Sequence, residues 1–284
     1  MRRSLAVLIM ISVFLACGDE HYGTSGGGGD GDSGPYPIET EPSLSPDLNY
    51  IYYISTDTTA NLYSGICRAA VSVPKREKIF PGENLHSPTL GFDNNTVAYL
   101  DSGLIRYYRM SDMANWSSNV TDSFSSIFYL TDDPKDILIG YRHDSIFLVT
   151  ESQGAQLFIS PGWDPTYVIK DTFVYFTGED TIYHIVKSNV YNLYPDTLFT
   201  VMTEASPHWP SFERKSGWAG YCLAWHHQKF IYAAKDTFYF VDSSDYLKPL
   251  VLRYNIIIYT GPDGRFYRSD FYGTKPVPFI YVKR

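Results

Sequence analysis

Three histidines and a cysteine fall in one stretch of this sequence: His208, Cys222, His226 and His227. Imidazole nitrogen and thiolate sulfur are natural zinc ligands. Their spacing matches no zinc pattern, and adjacent His226 and His227 on a strand point to opposite faces. We read His208, His226 and His227 as turn or surface residues and keep them as candidate contacts. Gly23-Thr24-Ser25-Gly26-Gly27 matches a nucleophile elbow in letters only, because that turn needs a strand before it and a helix after it. Asp30, Asp32 and Glu41 have the first, third and twelfth places of a calcium loop, but Pro35 stands where a glycine must turn. Trp163 and Trp209 could stack on sugar, or wedge into a core, each burying on the order of 200 Å². The two acids of a glycoside hydrolase cannot be chosen from 31 Asp and Glu. The sequence therefore predicts no cofactor, no metal and no catalytic residue.

What must position these side chains is a strand framework. Aromatic residues make up 17% of the 284 residues, with 25 Tyr. Such rings pack well on pleated, half-buried surfaces. No stretch has the period of a long capped amphipathic helix, so the fold class is all-β. Aromatic-rich hairpins recur, with first strands expected near Ile51, Val97, Ile137, Phe173, Tyr221 and Ile256. The intervals are 46, 40, 36, 48 and 35 residues. A period of roughly 40–45 residues marks a propeller blade of four strands. Starting the fifth hairpin at Phe230 instead makes the units too unequal. The expectation is a six-bladed β-propeller over residues 41–284.

Turn chemistry fits this reading. Asp101-Ser102, Asp144-Ser145, Asp180-Thr181 and Asp236-Thr237 recur before returning strands, where short polar side chains bond backbone donors. The polar segment 111–126 is expected to be one long loop. Loops carry function more often than strands do, which makes Trp116 a candidate contact. The run Pro278 to Val282 is expected as the last strand, either completing the sixth unit or pairing with the first segment to close the ring.

The N-terminus is a targeting signal: Arg2 and Arg3, an apolar run from Leu5 to Leu15, then Ala16 and Cys17. Phe14-Leu15-Ala16-Cys17 resembles a bacterial lipobox, which implies removal of residues 1–16 and acylation of Cys17. Residues 17–40, with Gly26 to Gly29 and little to bury, form a flexible lipid-anchored linker. About 20 such residues reach ~25 Å. Cys67 and Cys222 remain; in an oxidising compartment they could pair, but residues so far apart in a ring seldom meet disulfide geometry, so free thiols are favoured. Signal removal deletes two Arg and no acid, leaving 21 basic against 31 acidic side chains and a charge of −10. That argues against a nucleic-acid partner, and leaves the anchor as the only membrane contact.

Glu41-Pro42-Ser43-Leu44-Ser45-Pro46-Asp47-Leu48-Asn49-Tyr50-Ile51-Tyr52-Tyr53 resembles the repeat of TolB-like propellers, Pro-x-Trp-Ser-Pro-Asp-Gly-x-x-Ile-x-Phe/Tyr. Pro88-Thr89-Leu90, Pro161-Gly162-Trp163 and Pro207-His208-Trp209 are taken as its further copies. The resemblance implies a six-bladed ring, commonly periplasmic, that serves as a docking surface for proteins. With the lipid anchor, the expected address is the cell envelope at the outer membrane, on its periplasmic or its surface face, and the expected partner is an envelope protein. The resemblance carries no universal catalytic residue. The reading is a binder rather than an enzyme. The alternative is a glycan-active hydrolase or lyase, or a carbohydrate-binding module, using the central channel.

Overall fold

The computed structural model describes residues 39–57, 63–130, 137–169, 172–203, 207–212, 223–227, 230–234, 238–243, 248–252, 256–261, 263–270 and 276–280. The signal, Cys17, the linker up to residue 38, Cys222 and Asp236-Thr237 lie outside them.

Strands follow one another as antiparallel meanders. The first sheet holds β1 (Glu39–Leu44), β2 (Tyr50–Asp57), β3 (Tyr63–Ala70) and β4 (Arg76–Pro81). The second holds β5 (Leu85–Leu90), β6 (Thr96–Asp101), β7 (Leu104–Arg109) and β8 (Ala114–Ser117). The third holds β9 (Ser126–Tyr129), β10 (Leu138–Arg142), β11 (Ser145–Thr150) and β12 (Gly154–Ile159). The fourth holds β13 (Trp163–Ile169), β14 (Thr172–Glu179), β15 (Ile182–Asn189) and β16 (Asn192–Met202). The fifth holds β17 (His208–Phe212), β18 (Leu223–His227), β19 (Phe230–Ala234) and β20 (Phe238–Ser243). The sixth holds β21 (Leu250–Val251), β22 (Ile256–Thr260), β23 (Phe266–Asp270) and β24 (Val277–Pro278). The first strand of each sheet packs against the first strand of the next, and β21 packs against β1, so among the described residues six four-stranded sheets surround a central axis. This is a β-propeller.

The apolar runs are continuous because the second strands β2, β6, β10, β14 and β22 are buried on both faces. Side chains alternate across a strand, and here each parity feeds a different core. Ile51 and Tyr53 of β2 join Ile258 and Phe266 of the sixth sheet. Tyr52 and Ile54 join Val97 and Tyr99 of the second. Ala98 and Leu100, the other parity of β6, join Ile127 and Leu138 of the third. A strand in this position cannot show the apolar/polar alternation of a one-faced sheet.

Two of the hairpin turns at one end of the ring are two-residue turns with both central residues left-handed. Asp101 pairs with Leu104 around Ser102 (φ 52°) and Gly103 (φ 84°). Arg142 pairs with Ser145 around His143 (φ 46°) and Asp144 (φ 53°). Positive φ at both central residues is the turn that matches strand twist, and Asn, Asp and Gly tolerate it best.

Several expectations need correction. Segment 111–126 is not one long loop: Ala114–Ser117 is the outer strand of its sheet, and Val120 and Phe124 are buried. The first strand begins at Glu39, two residues before the expected boundary. The C-terminal run takes the first of its two expected roles: Val277–Pro278 pairs with β23, so among the described residues the chain completes its own last sheet. Contact between the two ends runs instead through Glu39. Its N–H donates to Gly264 O (2.8 Å), its carbonyl accepts from Thr260 Oγ1 (2.8 Å), and its carboxylate accepts from Phe266 N–H (2.8 Å) and Arg76 Nη2 (2.8 Å).

The repeat register also shifts. Leu44 lies opposite Ile51 and Leu90 opposite Val97, so those two segments are equivalent. Opposite Phe173, however, is Tyr167, and opposite Leu223 is Phe212. The true copies are Pro165-Thr166-Tyr167 and Pro210-Ser211-Phe212. Trp163 and Trp209 each stand three or four residues before those closing aromatics.

Candidate channel-mouth site

Every corrected copy has the same irregularity. The register slips between Thr40 and Ser43, His86 and Thr89, Trp163 and Thr166, and His208 and Ser211. Each slip is a bulge in the innermost strand, one residue ahead of proline. Proline has no N–H to give to a ladder, so a bulge is where an inner strand can accept it. The residue before it takes a left-handed backbone: Glu41 (φ 54°), Ser87 (50°), Asp164 (50°), Trp209 (53°) and Lys248 (68°). For non-glycine residues this costs on the order of 1–3 kcal/mol each. Bulges re-aim side chains, and these five gather at one mouth of the channel. Ser126 holds the equivalent place in the third sheet, four residues before Leu130, whose N–H bonds Ile137 O as Ser45 N–H bonds Tyr50 O.

One residue beyond two of these prolines, a hydroxyl links neighbouring sheets. Thr89 Oγ1 accepts from Tyr129 N–H (3.3 Å), and Ser211 Oγ accepts from Val251 N–H (2.8 Å). The residues that build the ring thus alternate with those that face its axis.

The mouth carries two related carboxylate–histidine pairs. Glu41 Oε1 lies 2.8 Å from His86 Nδ1, and its Oε2 accepts from Ser87 N–H (2.6 Å). Asp164 Oδ2 lies 2.6 Å from His208 Nδ1 and accepts from Trp209 N–H (3.3 Å). Lys248 Nζ donates to Glu41 Oε2 (2.9 Å) and Ser87 Oγ (3.3 Å), and stands 4.2 Å from the Trp209 ring centre. An ammonium on an aromatic face is worth roughly 0.5–2 kcal/mol. Burial pushes the Glu41 carboxyl up, but Lys248 and His86 outweigh it and hold Glu41 well below the usual carboxylate range. The Glu41 hydrogen bond in turn raises His86. Ser126 Oγ and Trp209 Nε1 are buried with no hydrogen-bond partner among the described residues.

These side chains leave little room. The channel, lined by Glu41, Ser87, Ser126, Trp209 and Lys248 at this mouth and by Phe92 and Tyr167 further along, has about 80 Å³ of free volume. Ligand pockets usually run to about 300–1,000 Å³. Glu41, held ionised, has no proton to give as the general acid that glycoside cleavage needs.

Of the sequence candidates with described side chains, His208 and Trp209 reach the mouth. Backbone pairing places His226 opposite His208, and His227 opposite Phe230. Trp116 is on the outer circumference, stacked on Tyr107 with centres 5.5 Å apart and with the Arg109 guanidinium 5.3 Å from its ring. Trp163 is core: it packs on Phe176 and Tyr183, and its Nε1 donates to Pro207 O (3.1 Å). Among the described residues no three His, Cys, Asp or Glu side chains gather as a metal site. Cys67 is a buried free thiol. Sequence reasoning missed Glu41, Ser87, Ser126, Asp164 and Lys248. The signal available was the residue before Pro-Ser/Thr-apolar, repeated at Glu41, Ser87, Asp164 and Trp209.

No family model matches the chain, and no curated protein matches it. Among solved structures it is similar to TolB from Acinetobacter baumannii, with a TM-score of 0.54 and 17% identity over 82% of this chain and 53% of that one. The chain thus spans about half the length of that TolB. A chain from a nidogen/laminin complex gives a TM-score of 0.54 at 11% identity, over 84% of this chain and 91% of that one. A putative TolB from Agrobacterium tumefaciens gives 0.53 at 11% identity, over 75% and 84%. At such identities the likeness is one of fold: this chain is an all-β propeller of the kind seen in TolB structures.

Proposed function

We propose that the chain is a six-bladed propeller held at the cell envelope by acylated Cys17, and that it docks another protein at the outer membrane. The observation that carries this reading is the filled channel mouth. Six side chains that differ from sheet to sheet converge there, yet about 80 Å³ of free volume leaves no room for a sugar ring and its neighbours. Such a surface suits recognition from outside better than turnover within. The nidogen/laminin complex is a precedent for a propeller chain within a protein assembly. A linker of about 20 residues would hold the ring ~25 Å from its anchor, enough to clear lipid headgroups.

The test is site-specific photocrosslinking in intact cells, with the reactive residue at Glu179 on the mouth end or at Asp112 on the opposite end. One discrete adduct from Glu179 and none from Asp112 is the expected result. Absence of adducts from both ends refutes docking. Separately, Cys17→Ala should release the protein from membranes, and full retention removes the anchor.

A further inference from the structure

An open groove lies outside the channel, at the same end of the ring as the mouth. It runs between the Ser160–Pro161 turn, which leads out of the third sheet, and the β14–β15 hairpin of the fourth, and holds about 490 Å³. Ligand pockets usually run to about 300–1,000 Å³. Backbone pairing sets its wall. Glu179 lies opposite Ile182, and Ile182 opposite Met202; in the next row Thr177 lies opposite His184, and His184 opposite Thr200. Directly paired residues share a face of the sheet, and His184 Nδ1 meets Thr200 Oγ1 at 3.0 Å. Thr177 Oγ1 donates to Pro161 O (3.0 Å), which ties the turn to the wall. Ile182 is 44% exposed and Met202 51%. Two large apolar neighbours left in water beside a groove are a surface that gains by being covered.

The same hairpin carries acids that its own turn leaves unused. In other turns at this end the acids are engaged. Asp101 pairs with Arg106 (3.6 Å), Asp144 accepts from the Tyr141 hydroxyl (3.3 Å), and Asp263 accepts from the Arg265 N–H and the Tyr267 hydroxyl (3.1 Å each). Here the Tyr183 hydroxyl donates to the Asp180 carbonyl (2.7 Å) and braces the turn through its backbone. The Glu179 and Asp180 carboxylates have no hydrogen bond, and no cation within 4.0 Å, among the described residues. Nor do they gather with His184 as a metal site. Two adjacent carboxylates at the rim of an apolar wall match a side chain with an apolar stem and a forked cationic head.

We propose that this groove receives an arginine side chain of the docked partner, with its stem against Ile182 and Met202 and its guanidinium on Glu179 and Asp180. This rests on the docking reading and names one contact of the partner. A lysine brings the charge but not the planar fork that engages two carboxylates at once.

The probe is N-acetyl-arginine amide, titrated into the mature chain carrying Cys17→Ala and followed by NMR at the Ile182 and Met202 methyl groups. Saturable shifts of both are expected, with N-acetyl-lysine amide binding about threefold more weakly. Glu179→Gln/Asp180→Asn should weaken arginine binding about fivefold, two exposed pairs at their ordinary strength. Ile182→Ser, read at Met202, should weaken it about threefold by stripping the apolar wall, at unchanged melting temperature. Glu83→Gln/Asp112→Asn removes the same charge from loops beside the second sheet and should change affinity less than about twofold. No saturable shift, lysine amide binding as tightly as arginine amide, equal losses from both double changes, or an unaltered Ile182→Ser overturns the proposal. Crosslinks from Glu179 in cells without arginine saturation would remove the arginine contact while leaving docking in place.

Discussion

Glu39 joins the first and last sheets, and its chemistry makes a sharp prediction. The side chain is 1% exposed. Burial drives its carboxyl upward, while the Phe266 N–H and the Arg76 guanidinium pull the other way without cancelling it. The folded protein therefore favours the neutral form more than the unfolded chain does. Its contribution is fully present below the ordinary value of 4.5 and is lost as pH rises through the raised folded value. Glu39→Gln keeps the shape, keeps an acceptor for Phe266 N–H and removes the buried charge, so it should move stability by less than about 1 kcal/mol at pH 7. Glu39→Ala takes the carboxylate partner from the Arg76 guanidinium, whose side chain is 11% exposed, and takes the acceptor from the Phe266 N–H. Breaking a buried pair in this way costs about 3–5 kcal/mol. For a domain of this size that lowers Tm by about 10 °C. Replacing both partners, Glu39→Leu with Arg76→Met, should recover most of the loss, because two apolar groups need no compensation. Differential scanning calorimetry of the parent and the three variants at pH 5 and pH 7 reads these numbers. If Glu39→Gln is as damaging as Glu39→Ala, the ring is held by the charge itself and the burial argument is wrong.

Other consequences are simpler to test. Ser211→Ala leaves the buried Val251 N–H without its acceptor and should cost about 1–3 kcal/mol in urea unfolding; a loss below 0.3 kcal/mol on the order of the assay noise would discount the inter-sheet hydroxyl. In an NMR titration, His86 should titrate above the ordinary value of about 6.5 and fall back towards it in Glu41→Gln. Stability from this raised His86 is present below the ordinary value and is lost as pH rises through the folded one, so alkaline conditions should erase it. Burial pushes the Cys67 thiol up to about 11. In a chain with Cys17→Ala and Cys222→Ser it should therefore react with a disulfide reagent only as fast as the protein unfolds; rapid labelling at pH 8 would contradict its burial.

Much of the framework was legible in the aromatic runs. The strands β2, β6, β10, β14, β18 and β22 begin within two residues of the six expected starts. In β2, β6, β10, β14 and β22 burial on both faces makes the runs long and continuous, and so visible without an alignment. The channel mouth was not legible in the same way. Pro161-Gly162-Trp163 and Pro207-His208-Trp209 looked like further copies because they keep a proline two residues before a large apolar group. The bulges break that count: extra residues in β13 and β17 place Trp163 and Trp209 ahead of the true prolines, Pro165 and Pro210. Trp116 illustrates a different gap. Its neighbours are polar, so it read as part of a loop, whereas pairing to Tyr107 makes it an edge strand.

The sequence by itself determined the all-β class, the spacing of the hairpins and the Asp-rich turns, because each depends on neighbours a few residues away. Hydrophobic pattern, ring size and left-handed tolerance are local properties. Only the tertiary structure decided which acids meet which cations. Glu41 is 46 residues from Ser87 and 207 from Lys248, yet all three share hydrogen bonds. Asp164 and His208 are 44 apart. Closing the ring brings the pre-proline residues of distant sheets onto one axis, and electrostatics acts over ångströms of space, to which separation along the chain is blind.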